Sequence, residues 1–194
     1  MNLIILTLLP LSNEKKPEAG RVKVNTDAAF AYGDSTGHWG AIIRNHTGDI
    51  ITSAWSPIER CQSAEEAEAI AALEGIRLSI NLNLPVILEC DCQSVVTALN
   101  FNSSGRSQAS LVYAEAAQVI KNLIRFKVQH VPRSANCSAH TLAAYSSNSL
   151  CNGVLHFDAE ASHAHCSIVS LTHLSNLIQT PFQFFYLNRT FHIN

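Results

Sequence analysis

Charged residues are scarce in this sequence, and neither sign is in clear excess. Only 14% of the 194 residues are charged, and 13 basic against 15 acidic residues leave a formal net charge of −2. Such a chain lacks the general positive field that attracts polyanions, so a nucleic-acid partner would need a local basic patch or bound metal ions. The hydrophobic fraction of 47% excludes a wholly disordered chain.

Cysteine, glycine and proline are also limited, which excludes several other classes of protein. Eight Gly and six Pro are too few for a collagen-like polymer. Cys90 and Cys92 form a C-x-C pair, but no second pair stands at zinc-site spacing, so we expect reduced thiols. The apolar run Leu3–Leu9 is too short to span a bilayer, and it lacks a preceding Lys or Arg. A loosely ordered apolar leader is favoured over a working signal peptide.

The polarity of the chain divides it into three parts. We expect an apolar leader and linker over residues 1–16, one folded domain over 17–149, and a C-terminal extension over 150–194. The extension shows no periodicity typical of an element that packs on a sheet. Its fold stays open, and its removal is expected to leave folding unchanged.

Alternating apolar and polar residues, separated by short turns, predict three strands in the first part of the domain, over residues 21–31, 38–44 and 49–55. Strands joined by such short turns form an antiparallel meander. Ser63 and Glu66 then form an S-x-x-E capping box, which indicates the start of a long helix rich in Ala and Leu.

The remaining elements alternate between strand and helix. The nearly continuous apolar run PVILEC predicts a buried parallel strand. Helices are predicted over 92–100, 108–122 and 134–147, with a fifth strand over 125–131. The order predicts an α/β fold whose five-stranded mixed sheet, three antiparallel strands followed by parallel crossovers, is flanked by helices.

Three acidic residues occupy positions where acids are unusual. Asp27 lies within strand 1, Asp91 directly follows strand 4, and Glu68 is flanked by Ala on the first helix. Taken singly, Asp27 could bond a turn, Glu68 could be solvated, and Asp91 could cap the next helix. The topology, however, brings all three together, and convergent carboxylates favour a hard divalent cation such as Mg²⁺ or Mn²⁺.

Five segments, in order, resemble the type 1 ribonuclease H family, and more closely its plant ribonuclease-H-like domains related to retroelement reverse transcriptases. The resemblance covers about residues 17–147 and is carried by VKVNTDAAF, WGAIIRNHTGDII, AEAIAALEGIRLS, LECDCQSVV and HVPRSANCSAHTLA. It implies the ribonuclease-H-like fold and two bound Mg²⁺ or Mn²⁺ ions. The metal ligands that it implies are Asp27, Glu68, Asp91 and His140.

The resemblance also implies roles for residues near the last helix. His130 matches a family His that assists product release or proton transfer, although it could simply close strand 5. Asn136 matches an Asn that contacts the substrate backbone, although it could only start the helix. His140 stands where the family usually has Asp, although the resemblance is to plant members, which often have His there. Its softer nitrogen suits Mn²⁺ better than Mg²⁺.

A modest basic cluster is the candidate nucleic-acid-binding surface. Lys127 and Arg133 are its main members, together with Lys121 and Arg125, and a simple solvated face is an equally good interpretation. The resemblance implies endonucleolytic cleavage of the RNA strand of an RNA–DNA hybrid, leaving 5′-phosphate and 3′-hydroxyl ends. The alternatives are a catalytically weak or inactive nucleic-acid-binding module and a retroelement-derived fragment. We expect a monomer without a membrane partner, in the nucleus or cytoplasm.

Overall fold

The computed structural model describes residues 14–101, 107–149, 152–156 and 167–169. One mixed sheet carries helices on both faces. Its strands are β1 (Val22–Ala31), β2 (Thr36–Arg44), β3 (Ile50–Ile58), β4 (Val86–Cys90), β5 (Phe126–His130), β6 (Gly153–His156) and β7 (Ser167–Val169). The helices are α1 (Ala64–Ser79), α2 (Gln93–Phe101), α3 (Ser110–Ile120) and α4 (Cys137–Ser149), with short 3₁₀ turns at Ile80–Leu82 and Arg133–Ala135.

The strand order across the sheet is β5-β4-β1-β2-β3-β6-β7. Strands β1, β2 and β3 form the expected antiparallel meander, while β4 pairs parallel to β1 and β5 pairs parallel to β4. The predicted α/β class and the order of its elements are therefore confirmed. The predicted strand count of five is wrong, because the described part of the sheet has seven strands.

The two additional strands come from the C-terminal segment, for which we expected no packed element. Strand β6 pairs antiparallel with β3, and its Val154 and Leu155 are each only 3% exposed. A strand of four residues is too short to show a periodicity, which is the physical reason why the pattern missed it.

Within the described residues, no helix combines the length and the apolar character needed to cross a bilayer.

Helix α1 covers one face of the sheet. The backbone N–H of Glu66 donates to the Ser63 hydroxyl over 3.1 Å, so the predicted cap is present. The helix is lined with small residues, and Gly75 allows a close approach, because a Cβ there would lie 2.5 Å from Cγ2 of Thr26. The buried side chains that pack between this helix and β1 include Val22 and Val24.

Helix α4 covers the opposite face and lies unusually close to it. A Cβ at Gly40 on β2 would lie 2.5 Å from the backbone nitrogen of Ala143 and 2.6 Å from the carbonyl oxygen of Ala139. Gly40 is also the cross-strand partner of Asp27 on β1. The missing side chain at Gly40 therefore lets α4 approach the sheet beside Asp27.

A buried ionic network extends from the same face of β1 to the N-terminal segment. Lys23 Nζ lies 3.4 Å from carboxylate oxygens of both Glu14 and Glu89. Glu14 also lies 3.3 Å from Arg44 Nε and accepts a 3.0 Å hydrogen bond from Ser138. Burial of a charge requires such partners, so this network explains how Lys23 can be 1% exposed.

Candidate metal centre

Three acidic residues from three separate elements meet at one edge of the central strands. Asp27 lies on β1, Asp91 directly follows β4, and Glu68 lies in the second turn of α1. Because β4 runs parallel to β1 as its neighbour, the two Asp side chains reach the same end of the sheet. One carboxylate oxygen from each of the three residues lies within 4.8 Å of the others. The convergence expected from the topology is therefore present.

The crowding of these carboxyls changes their acidity. Burial, followed by the charges of Asp27 and Asp91, raises the pKa of Glu68 to about 8. Burial also raises the pKa of Asp27 to about 6, against a hydrogen bond from His140 that lowers it. At neutral pH the raised pKa of about 8 favours the protonated form of Glu68, and a bound cation would displace that proton.

Two buried oxygens of the cluster are left without hydrogen bonds. Asp27 Oδ1 and Glu68 Oε2 are both inaccessible to solvent and have no hydrogen-bond partner. Such an oxygen keeps its lone pairs available to a water or a cation. Hard carboxylate oxygens are the ligands that Mg²⁺ and Mn²⁺ prefer, so the residues present fit such a cation.

His140 reaches the cluster from α4, as a partner of Asp27. Its Nδ1 atom lies 2.9 Å from Oδ2 of Asp27. Only the three acids converge closely enough to form a group of potential metal ligands among the described residues. His140 lies beside this group, in contact with Asp27. The approach of α4 over Gly40 explains why the ring reaches Asp27.

Arg133 also lies in the cluster, whereas we expected it on a nucleic-acid-binding surface. Its Nη1 atom lies 3.2 Å from Oδ2 of Asp91 and 3.9 Å from Oδ1 of Asp27. Its Nη2 atom lies 2.8 Å from Nδ1 and 3.2 Å from Nε2 of His140. The guanidinium group therefore supplies positive charge directly to the acids.

Asn136 is completely buried beneath the cluster. Its amide nitrogen donates to Oδ1 of Asp91 over 3.2 Å and to the carbonyl oxygen of Thr26 over 2.9 Å. Its amide oxygen accepts from Asn25 over 3.2 Å. In this structure Asn136 holds Asp91 in place, while its expected contact with the substrate backbone stays a prediction.

The other two residues of the predicted site lie on β5. The exposed His130 ends the strand at the cluster, with Nε2 3.2 Å from the carbonyl oxygen of Asp91. Lys127 is exposed three residues earlier, opposite Ile87, and is not brought into the cluster.

Sequence reasoning missed the polar residues that support the site from below. Asn25 donates to both Asn136 and Glu89, and Glu89 also accepts from Gln129 over 2.8 Å. The signal is present in β1, where Lys23, Asn25 and Asp27 occupy every second position and are all buried. An alternating pattern predicts a strand but does not show that its polar side chains are buried.

Residues 25–146 match the sequence profile of the reverse transcriptase-like family. The chain belongs to the reverse transcriptase-like family. No curated protein matches it in sequence. The matched range contains all the acids of the cluster as well as Arg133 and His140, so the candidate site lies within the family domain.

Solved structures similar to this reverse transcriptase-like domain include ribonucleases H and a viral reverse transcriptase. The ribonuclease H1 of Halobacterium salinarum NRC-1 superposes with a TM-score of 0.62 at 20% identity, covering 67% of this chain and 99% of that one. LC11-RNase H1 in complex with an RNA/DNA hybrid gives 0.60 at 16% identity, covering 66% and 98%. A foamy viral protease–reverse transcriptase with an RNA/DNA hybrid gives 0.55 at 16% identity, covering 73% and 21%. These likenesses confirm the expected ribonuclease-H-like fold.

Proposed function

We propose that this protein is a metal-dependent ribonuclease that cleaves the RNA strand of RNA–DNA hybrids endonucleolytically. The observation that carries the proposal is the convergence of Asp27, Glu68 and Asp91 within 4.8 Å, on three different elements. Such a cluster destabilises the fold unless it is neutralised, so its presence favours a functional role. The fold shared with ribonucleases H adds support by analogy.

We propose Asp27, Glu68 and Asp91, joined by His140, as the ligands of two divalent cations. The orphaned oxygens of Asp27 and Glu68 support this assignment. Two cations held by these residues would supply Lewis-acid chemistry, which would activate a water and stabilise the leaving 3′ oxygen. A nitrogen ligand at position 140 favours Mn²⁺ over Mg²⁺.

The surrounding residues are proposed to orient the site and to move protons. Asn136 holds Asp91 through its amide nitrogen, so that a carboxylate oxygen keeps a defined direction. His130 is exposed at the rim beside Asp91, where an imidazole can exchange protons with solvent and with a leaving product. This position supports the role in proton transfer or product release.

The nucleic-acid partner is proposed to be held weakly. Lys127 and Lys121 are exposed, and Arg133 is 60% exposed, so these side chains are accessible to phosphates. A formal charge of −2 gives no general attraction, so affinity depends on these few contacts and on the cations. LC11-RNase H1, which has this fold, was solved with an RNA/DNA hybrid. We propose the same class of ligand here, for a monomer.

A second function, nucleic-acid binding with weak or no catalysis, is favoured by one observation. Arg133 and His140 already contact the carboxylates of Asp27 and Asp91. A chain that neutralises its own acids depends less on a cation. Nucleic-acid binding with weak or no cleavage would also be expected of a retroelement-derived domain that keeps only the fold.

An assay on a labelled RNA–DNA hybrid tests both functions. The protein is incubated with Mg²⁺ or Mn²⁺, and double-stranded DNA and double-stranded RNA serve as comparison substrates. We expect internal cleavage of the RNA strand of the hybrid only, faster with Mn²⁺, and none for Asp27→Asn. Hybrid binding without cleavage by the unmodified chain would favour the binding module, and equal cleavage of all three duplexes would refute the proposed specificity.

A further inference from the structure

Arg133 closes the mouth of the carboxylate cluster from the solvent side. It contacts Asp91 at 3.2 Å and approaches Asp27 to 3.9 Å, while its own side chain is 60% exposed. The side chain of Arg133 starts from a short 3₁₀ turn, and its 60% exposure leaves solvent on one side of the guanidinium. The guanidinium is therefore attracted to the carboxylates of Asp27 and Asp91 and can still leave them towards solvent.

The contact with His140 restricts what the imidazole can offer to a cation. Nη2 of Arg133 lies 2.8 Å from Nδ1 and 3.2 Å from Nε2, so the guanidinium crowds both ring nitrogens at once. Nδ1 also lies 2.9 Å from Oδ2 of Asp27. A cation that approached either ring nitrogen would therefore meet the positive charge of Arg133.

We propose that Arg133 is an internal counter-ion that holds the metal-free cluster together and competes with divalent cations for Asp27, Asp91 and His140. The inference rests on the proposed function only in treating the cluster as a cation site. A guanidinium and a dication cannot occupy the same group of oxygens, because like charges at contact distance repel strongly. Cation binding therefore requires Arg133 to swing away.

Titration of the metal-stripped protein with Mn²⁺, followed by electron paramagnetic resonance, measures this competition directly. We expect Arg133→Ala to bind Mn²⁺ about tenfold more tightly than the unmodified protein, since one nearby positive charge is removed. Arg133→Lys keeps the charge but lacks the planar fork, so an intermediate affinity is expected. Arg60→Ala removes an exposed arginine outside the cluster and should leave the affinity unchanged.

Urea unfolding with and without Mn²⁺ separates competition from a merely structural ion pair. In EDTA, Arg133→Ala should be less stable than the unmodified protein, and with saturating Mn²⁺ this difference should disappear or reverse. A structural ion pair alone would give the same loss of stability in both conditions. Because the side chain is largely exposed, the variant is expected to fold.

The outcomes distinguish this inference from the proposed function. Unchanged or weaker Mn²⁺ affinity in Arg133→Ala, a tenfold gain in Arg60→Ala as well, or no Mn²⁺ binding by either protein would overturn the competition. Tighter Mn²⁺ binding by Arg133→Ala in a protein that cleaves no hybrid would support the inference while refuting the nuclease. If the unmodified protein cleaves the hybrid and Arg133→Ala binds Mn²⁺ no more tightly, the proposed nuclease is supported and the competition by Arg133 is refuted.

Discussion

Replacing Glu68 by Gln should stabilise the metal-free protein, and increasingly so as the pH rises. Burial and the charges of Asp27 and Asp91 raise the pKa of Glu68 from 4.5 to about 8. Between these values the folded protein keeps a proton on Glu68 that the unfolded chain has released. The contribution of Glu68 to the stability of the unmodified protein is therefore complete below about pH 4.5 and is lost as the pH rises towards 8.

The size of the effect follows from the same values. Neutral pH lies about 2.5 units above the pKa of 4.5 that Glu68 has in the unfolded chain. Each unit corresponds to about 1.4 kcal/mol, so keeping the proton in the folded protein costs about 3 kcal/mol of unfolding free energy. The side chain of Glu68 is partly exposed, so screening by water reduces this to about 2 kcal/mol. Gln keeps an oxygen that can accept from the backbone N–H of Ala28, as Glu68 does. The substitution thus removes the charge and preserves the contact.

Urea unfolding in EDTA, followed by circular dichroism at about pH 4.5, 6 and 7.5, measures the difference. We expect Glu68→Gln to match the unmodified protein at the lowest pH and to exceed it by about 2 kcal/mol near neutrality. Glu59→Gln removes an exposed carboxylate outside the cluster and should change little at any pH. A Glu68→Gln protein that is less stable throughout, or stabilised equally at all three pH values, would refute the reasoning about burial and repulsion.

Three further outcomes are expected. Asp27→Asn should abolish hybrid cleavage without unfolding the protein, because Asp27 is the only fully buried acid of the cluster; wild-type-like rates would remove it from the metal ligands. Hybrid binding measured by fluorescence anisotropy should show a log–log salt slope near about −3, and charge reversal by Lys127→Glu should make it shallower; a salt-insensitive affinity would place the binding surface elsewhere. The pairing of β6 replaces the expectation that removal of residues 150–194 leaves folding unchanged. Truncation after Ser149 should lower the unfolding free energy by about 3 kcal/mol, since it exposes the partners of Val154 and Leu155; an unchanged melting temperature would contradict the packing of β6.

The sequence predicted the sheet core and the acids of the site because each carried a local signal. The Ser63 cap starts α1 where the capping box indicated, and the apolar run before Asp91 forms the buried strand β4. Asp27 and Glu68 are identifiable because an acid within a strand, or one flanked by Ala on a helix that packs on the sheet, conflicts with its surroundings. The parallel pairing of β1 with β4 then follows from the order of the elements.

The remaining features depend on contacts between distant parts of the chain, which leave no local pattern. Glu14 is buried only because Lys23 and Arg44 meet it from two strands, yet it lies in a segment that reads as a polar linker. Arg133 reads as one member of a basic cluster, and only the fold places it over Asp91. Strand β6 is similarly defined by its partner β3, not by its own four residues.

The close contact at Gly40 has a consequence for how this domain can diverge. Helix α4 rests on the backbone of β2 beside Asp27, with main-chain atoms of Ala139 and Ala143 at the contact. The separation between His140 and Asp27 is therefore set by a contact between two backbones, which stays the same when substitutions change the size of neighbouring side chains. Any residue larger than glycine at position 40 would act as a wedge between the two backbones. Substitution there would open the site while leaving every one of its functional side chains intact.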